Sequence, residues 1–350
     1  MFICGPTVYD DLHAGHARML LFYDLVSRYL RYRGKKVTAL VNITDIDPKI
    51  SARAQSEGVS PQYLAQKYAG RFLDDMSALA MDGFVFARVS DHVDVAKQLV
   101  KNLLKEGKAY SADGNIYLDT TTISKFGELS KSSREELDDC RLDISQGKRS
   151  PADILVWNAS DHIGVSFADR HLGTGIPWWH TQDSSVAMAN FGGRYDIHGG
   201  ATELVYPHHE FHLSQLKVLT SSARPVRVWS HVGLVYSGGH KMSKSAGNVV
   251  TVRQLLKYGT NAIRLYFYSK PYRQQFDFSE QDLAKFEEID QAISAKIGKT
   301  NHAKSNLKAF LQCLEDDFDS PSALKVMMDS VRSGNGKDLQ VMAGILGLRY

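Results

Sequence analysis

The strongest constraint lies at the very start of the chain. A short apolar run, Phe2-Ile3-Cys4, breaks at Gly5-Pro6, passes His13-Ala14-Gly15-His16 and gives way to a long amphipathic pattern from Leu20 to Tyr32. A strand that stops at glycine and feeds a helix is the opening unit of a doubly wound α/β domain. The next apolar run, Val37 to Ile43, is continuous and bounded by Lys35-Lys36 and Thr44-Asp45, so it fits a parallel strand buried on both faces. In such sheets ligands bind beyond the carboxyl ends of the strands.

From Ser56 to about Gly107 the periodicity is helical, and then the character changes. Strand candidates such as Asn115 to Leu118 alternate with polar stretches like Ser130 to Asp143, which marks an insertion. The α/β pattern returns at Gly173, with strand candidates at Tyr195 to His198 and Val226 to Val235, and after Val250 the pattern is helical again. The expected division is therefore 1–107 and 173–250 as two halves of one α/β domain, 108–172 as the insert, 251–285 as a helical connection and 286–350 as a small helical bundle. A chain of 350 residues has room for such an arrangement. No apolar stretch approaches the ~18 residues of a membrane span and the N-terminus lacks a leader pattern, so a cytoplasmic protein is expected. Cys4, Cys140 and Cys313 are odd in number and lack CxxC spacing, which argues against a disulfide framework. A net charge of +3 permits nucleic-acid contact without announcing it.

Nine of the 13 histidines fall between His162 and His240, so something polar is assembled there. On a helix His208 and His212 face the same way while His209 points elsewhere, a spacing that suits a metal but also a pair of surface or capping histidines. The run HHEFH is not the metalloprotease motif, because position 213 is Leu where a second histidine would be needed. A second constellation runs from Gly238 to Asn248. Its glycines, Lys241, Ser243 and Lys244 can wrap a polyphosphate, the lysines neutralising the charge of a leaving pyrophosphate, though alone it also fits a solvated basic loop.

HAGH at the start of the first helix, followed more than two hundred residues later by KMSKS, resembles the motif pair of class I aminoacyl-tRNA synthetases. CGPTVYD, NITDID, DIHGG and PHHE narrow the resemblance to the cysteinyl-tRNA synthetase family and to its ligase relative that joins cysteine to a glucosaminyl-inositol amine in mycothiol synthesis. The resemblance covers nearly the whole chain. It implies a Rossmann-like doubly wound α/β fold with a parallel sheet, an inserted domain and a C-terminal helical bundle. It also implies a zinc ion, one per chain, at the base of an amino-acid pocket, where a soft thiolate outcompetes a hydroxyl.

The residues are carried over as follows. The metal ligands match Cys4, Asp183 (where the family has Cys), His208 and His212 (where the synthetases have Glu), all four chemically able to bind zinc. Formal ligand charge falls from minus three to minus two, which leaves a stronger Lewis acid; the opposing reading is a decayed site held by plain hydrogen bonds. Thr44, Trp179 and His198, with Cys4, match positions that shape the amino-acid pocket. His13, Gly15 and His16 are assigned to the α- and β-phosphates of ATP, Lys241, Ser243 and Lys244 to the pyrophosphate, and Glu203 stands where the family has an Asp near the ribose or amino group. Pro48 replaces the second Asp of the family's DIDDK, with Lys49 retained.

The expected enzyme is an ATP-dependent ligase, with magnesium accompanying ATP, that forms an aminoacyl-adenylate from cysteine or a related zinc-binding amino acid. The acceptor is expected to be a small amine, as in the mycothiol ligase, because the sequence also reads PHHEF and GHKMSKS and stops where an anticodon-reading domain would follow. The alternatives are aminoacylation of a tRNA through its acceptor end and a non-catalytic paralogue that binds nucleotide or amino acid.

Overall fold

A computed structural model describes residues 1–133, 136, 147–159, 164–242, 247–299 and 305–350. The chain divides into two compact units, one of Met1–Asp10, Leu40–Gly70 and Phe86–Ser230, the other of Asp11–Ala39, Arg71–Val85 and His231–Tyr350. The partition cuts across the segments read from the sequence, since the residues that follow the first strand belong with the C-terminal helices.

The first unit carries a five-stranded sheet of β1 (Phe2–Ile3), β2 (Ala39–Ile43), β3 (Phe84–Arg88), β8 (Tyr195–Ala201) and β9 (Val226–Val232), in the order β3-β2-β1-β8-β9. Between β3 and β8 come β4 (Ala109–Ala112), β5 (Asn115–Leu118), β6 (Ile154–Asn158) and β7 (Ile176–Pro177), which form their own four-stranded sheet. In the large sheet β1 runs parallel to both neighbours, Phe2 lying opposite Leu40 on one side and His198 on the other. Strand order reverses at β1, so its carboxyl end is the topological switch point where ligands of α/β sheets gather. Every residue of β2 is buried, as its unbroken apolar run requires, and Phe2, Leu40, Ile46, Val186, Leu216 and Val226 share one core cluster.

Gly5 is fixed by close approach. A Cβ on Gly5 would stand 1.8 Å from the Asn42 carbonyl oxygen, so the turn after β1 can press against β2 only without a side chain. The insert is an antiparallel meander, β4-β5-β6-β7, with Trp157 and Tyr117 fully buried. The helical reading of Ser56 to Gly107 overlooked β3: the helix Pro61–Ala78 ends and Ala80 turns to φ 58°, which frees a five-residue strand too short to disturb the periodicity around it. Likewise Val226 to Val235 is two strands, β9 and β10 (Val235–Ser237), because Gly233 is crowded against the Gln274 backbone and its N–H donates to the Tyr272 carbonyl.

The second unit is mainly helical, with β10, β11 (His240–Lys241) and β12 (Phe276–Asp277) as a small sheet. Its centre is Arg264, fully buried on the helix Thr260–Tyr268. The guanidinium pairs with Asp24 and donates to the Leu346 carbonyl at 2.9 Å, the Leu79 carbonyl at 2.7 Å and the Tyr268 hydroxyl at 3.0 Å. Gly347, at φ 71°, is required beside it because a Cβ would collide with the guanidinium. Removing one partner of a buried, hydrogen-bonded ion pair strands the other charge. Arg264→Met should therefore lower the unfolding free energy by about 3 kcal/mol, read as a fall in the urea midpoint at unchanged slope. A change below about 0.5 kcal/mol, typical of a surface position, would show that Arg28, also bonded to Asp24, suffices alone.

Candidate functional site

Cys4 is the first residue past β1, held there by its N–H donating to the Gly199 carbonyl at 2.9 Å. Four side chains from three other stretches converge on its Sγ: Asp183 Oδ2 at 3.0 Å, His209 Nε2 at 3.2 Å, His208 Nε2 at 3.4 Å and His198 Nε2 at 3.5 Å. All five residues are buried. His208 Nε2 also lies 2.9 Å from Asp183 Oδ2, and Asn42 Nδ2 on β2 donates to Asp183 Oδ1 at 2.9 Å. Room for the His209 ring comes from Gly200, where a Cβ would sit 2.6 Å from its Cε1. Trp179 stacks on His208 with centroids 4.4 Å apart, and Trp229 lies at the same distance from His198.

Burial pushes the Cys4 thiol well above its ordinary range, and the charge of Asp183 pushes the same way. Burial also opposes ionisation of Asp183, but His208, through charge and hydrogen bond, His212 and the Cys4 thiol together outweigh it and hold that carboxyl below the usual range. Burial drives His180 well below the usual imidazole range, reinforced by its neighbours His208 and His212. His180 Nδ1 meets His208 Nδ1 at 2.9 Å, so one of those nitrogens carries the shared proton and the other accepts.

In the second unit, His13 caps the helix Ala14–Tyr32. Its Nδ1 accepts from the Gly15 and His16 backbone N–H groups at 3.1 and 3.4 Å, while His16 Nδ1 accepts from the His13 N–H at 3.4 Å. This is a capping box made of two imidazoles, with rings stacked 3.8 Å apart. Because both Nδ1 atoms accept, a neutral ring at either position carries its proton on Nε2, a donor at a helix N-terminus where anions bind. Gly15 leaves room for the His13 ring, from which a Cβ would lie 3.0 Å.

Arg18, one turn along that helix and only 2% exposed, donates to the carbonyls of Gly233, Leu234, Pro271, Tyr272 and Gln274. It ties the histidine helix to the start of β10, whose partner β11 carries exposed Lys241. Asn248 Nδ2 closes the base of the loop by donating to the Ser237, His240 and Lys241 carbonyls at 3.2, 3.4 and 3.2 Å. Ser243 and Lys244 lie outside the described residues.

Comparison with known proteins agrees. The profile described as "tRNA synthetases class I (C) catalytic domain" matches residues 1–288. A cysteine-tRNA ligase of Carboxydothermus hydrogenoformans is 34% identical over 353 residues, 96% of this chain and 76% of that protein. One from Pyrococcus abyssi is 36% identical over 371 residues, covering 97% and 76%. The chain belongs to the class I (C) tRNA synthetase family. As a family member it is a ligase with the family's α/β fold. Solved structures add the fold alone: a Mycobacterium tuberculosis methionyl-tRNA synthetase with methionyl-adenylate has a TM-score of 0.64 at 15% identity, covering 99% of this chain and 81% of that one. An Agrobacterium radiobacter LeuRS in ternary complex with tRNA and LeuAMS reaches 0.69 at 10%, covering 99% and 82%.

Of the ligands that the family pattern assigns, Cys4, Asp183 and His208 are brought together, and His212 is not among them. Its ring nitrogens lie 3.0 Å from Ser184 Oγ and 2.8 Å from the Tyr195 hydroxyl. His209, expected to point away, takes the place: one donor atom each of Cys4, His208 and His209 lie within 4.8 Å of one another. The reason is local. Regular helix begins only at Glu210, and Val205–His209 winds as a wider π-type turn broken at Tyr206 (φ −128°, ψ 133°), so the four-residue rule does not reach back to His208.

Of the remaining assigned positions, Thr44 Oγ1 accepts from Asn42 Nδ2 at 3.3 Å, Trp179 and His198 border the cluster, and Glu203 sits exposed on the short turn after β8. Sequence reasoning missed Asn42, His180, Tyr195, His209 and Trp229; only the crowding of histidines signalled some of them. Glu210, following His209, is fully buried and its carboxylate accepts the N–H groups of Gly127, Leu129 and Ser130 at 2.9 Å each, pinning the insert beside the histidine pair.

The donor set fits a zinc-type ion: a thiol, a carboxylate and imidazoles, buried and convergent, with a glycine making space for one ring. If His209 is a ligand, His209→Ala should weaken zinc retention roughly 10²-fold or more in competition with a chromophoric chelator, a larger loss than an outer residue usually causes. Retention equal to the unsubstituted protein would restrict the site to Cys4, Asp183 and His208.

Proposed function

We propose that this ligase activates a thiol-bearing amino acid, cysteine or a near relative, with ATP, and passes the acyl group to the 3′ end of a tRNA. The observation that carries the reading is the buried cluster around Cys4 at the sheet's switch point, in a chain whose relatives are named cysteine-tRNA ligases. Cys4, Asp183, His208 and His209 would hold the zinc, which would supply a soft Lewis-acidic centre favouring a thiolate over a hydroxyl. Trp179, Thr44 and His198 wall the space beside it, suited to a small zwitterion that needs an apolar face and a few oriented polar contacts.

The chemistry itself is positioning and charge stabilisation. The amino-acid carboxylate attacks the α-phosphorus of ATP, whose magnesium travels with it, giving an aminoacyl-adenylate and pyrophosphate. His13 and His16 offer Nε2–H donors to the phosphates, Gly15 leaves room for the first ring, and Lys241, Ser243 and Lys244 receive the pyrophosphate charge. Glu203 is assigned to the ribose or the amino group. The adenylate's acyl carbon is then attacked by the acceptor, releasing AMP. A small amine is the second acceptor, supported by the PHHEF and GHKMSKS wording of the two motifs.

The test is amino-acid-dependent exchange of pyrophosphate into ATP. Cysteine should support exchange and serine should not, and Lys241→Ala or Lys244→Ala should slow it by roughly 10²-fold with little change in amino-acid affinity, because each lysine acts on charge that grows in the transition state. Exchange unaltered in both variants would remove the loop from the mechanism. The acceptor separates in a second assay. Transfer to tRNA should weaken by orders of magnitude between about 50 and 200 mM salt, whereas transfer to a small amine should proceed without RNA and hardly respond.

A further inference from the structure

The segment that follows the 238–248 loop is bonded to the residues that open the imidazole-capped helix. The Ala14 N–H donates to the Val250 carbonyl at 2.8 Å and the Val252 N–H to the Leu12 carbonyl at 2.9 Å, so His13 and Thr251 face each other as an antiparallel bridge. Thr251 and Gln254 close a capping box at the same point, the Thr251 N–H donating to Gln254 Oε1 at 2.8 Å. His13 thus sits in the middle of one side of a short backbone bridge.

Beside this bridge Arg253 meets three carboxylates, two of them on the helix Pro61–Ala78. Its Nε lies 3.4 Å from Asp75 Oδ1 and 3.9 Å from Asp11 Oδ1, and its Nη2 lies 3.9 Å from Asp74 Oδ2. Asp11 is held in turn by Arg71, whose Nη1 donates to its two carboxylate oxygens at 3.0 and 2.9 Å. Asp75 is only 2% exposed, and among the described residues its Oδ2 has no hydrogen-bond partner. Burial pushes its carboxyl up to about 6 against the pull of Arg253; Asp11 and Asp74 add to the rise and Arg71 opposes it. Protonation therefore favours the folded state, and above that pH the ionised carboxylate opposes folding where an amide of the same shape would not. Arg253 is itself 43% exposed, so its pairs add little to stability. What the buried charge does supply is a fixed anchor for the guanidinium.

We propose that Arg253 is a positioning residue for amino-acid activation: braced on Asp75 and Asp11, it holds the segment that follows the 238–248 loop against His13. Asp11 shortly precedes His13 and Arg253 shortly follows Thr251, so the Asp11 pair ties the two sides of the bridge together and the Asp75 pair ties them to the helix Pro61–Ala78. Such a brace affects rate more than binding, because groups that meet charge growing on the phosphates lose much of their effect when displaced by about 1 Å. The pairs at 3.4 to 3.9 Å are not a two-pronged fork, so charge counts for more than the guanidinium plane and a lysine can stand in. The inference rests on the proposed reading in assigning His13 and the loop to ATP; the brace itself does not depend on it.

The test joins amide hydrogen exchange with pyrophosphate exchange. In Arg253→Gln the Ala14 and Val252 amides, which bond across the bridge, should exchange roughly 10-fold faster or more, while amides in the middle of the helix Ala14–Tyr32 keep their rates. In the same variant kcat for cysteine-dependent pyrophosphate exchange should fall roughly 10- to 100-fold with KM for cysteine changed less than about 2-fold, and Arg253→Lys should recover most of both losses. Asp75→Asn should lower kcat and loosen the same two amides while its urea midpoint at neutral pH holds or rises, which a merely structural carboxylate would not allow. The double variant of Arg253→Gln with Asp75→Asn should lose no more than the poorer single one, since the two act through each other. Unchanged amide rates or unchanged kcat in Arg253→Gln, no recovery with lysine, a fallen midpoint in Asp75→Asn, or losses that multiply in the double variant each overturn the proposal. A wild-type protein without cysteine-dependent exchange counts against the proposed reaction instead, and the amide rates still decide whether the brace exists.

Discussion

The first unit is organised around one problem, the burial of polar and ionisable groups at the end of β1. Cys4, Asp183, His198, His208 and His209 are taken from water at the switch point of the sheet, where each must be satisfied by another. β1 is only two residues long, yet its pairing with β2 and β8 fixes Cys4 between Asn42 on one side and the Gly199-Gly200 pair on the other. Gly5 and Gly200 exist at their positions because a methyl group at either would displace a neighbour in this assembly. The sheet thus serves as a frame, and much of what surrounds it can be understood as holding polar atoms in register.

The second unit solves a comparable problem with backbone carbonyls. Arg264 and Arg18 are long cations buried among helix ends and loop turns, and most of their bonds go to main-chain oxygens. Such guanidiniums set the position of the chain segments whose carbonyls they bind, and Arg18 also lies over the Phe276 ring at 4.6 Å. Arg18 is the clearer case. It lies two residues past His16 and grips the segments on either side of the small sheet, so the imidazole capping box and the strand bearing Lys241 are held by a single side chain.

The resemblance implies two departures from the family's ligand pattern in the histidine-rich centre, at Asp183 and His212, and both side chains are satisfied here. The Asp183 carboxylate lies against His208 and Cys4 and accepts from Asn42 on its other oxygen. His212 then finds hydroxyl partners in Tyr195 and Ser184. A buried imidazole with both nitrogens satisfied is a stable neighbour for a metal centre, whereas an unpaired one would not be.

Much of the fold was legible in the sequence because it rests on local signals. The apolar run ending at Gly5-Pro6, the unbroken strand before Thr44 and the histidine-started helix each announce an element by composition and spacing, and ordered motifs identified the family. β3 was not legible, being a five-residue run between helices, and neither was the division into two interleaved units, since contact between distant segments leaves no mark on local periodicity. The centre was legible as a list of residue types, and Cys4, Asp183 and His208, assigned by position, are brought together in the structure. What sequence could not decide was direction: which of His208, His209 and His212 turns toward Cys4 depends on a π-type turn and a break at Tyr206, geometry set by packing after the chain has folded. Residue identity fixes which atoms can donate or accept, and only the tertiary structure decides which of them meet.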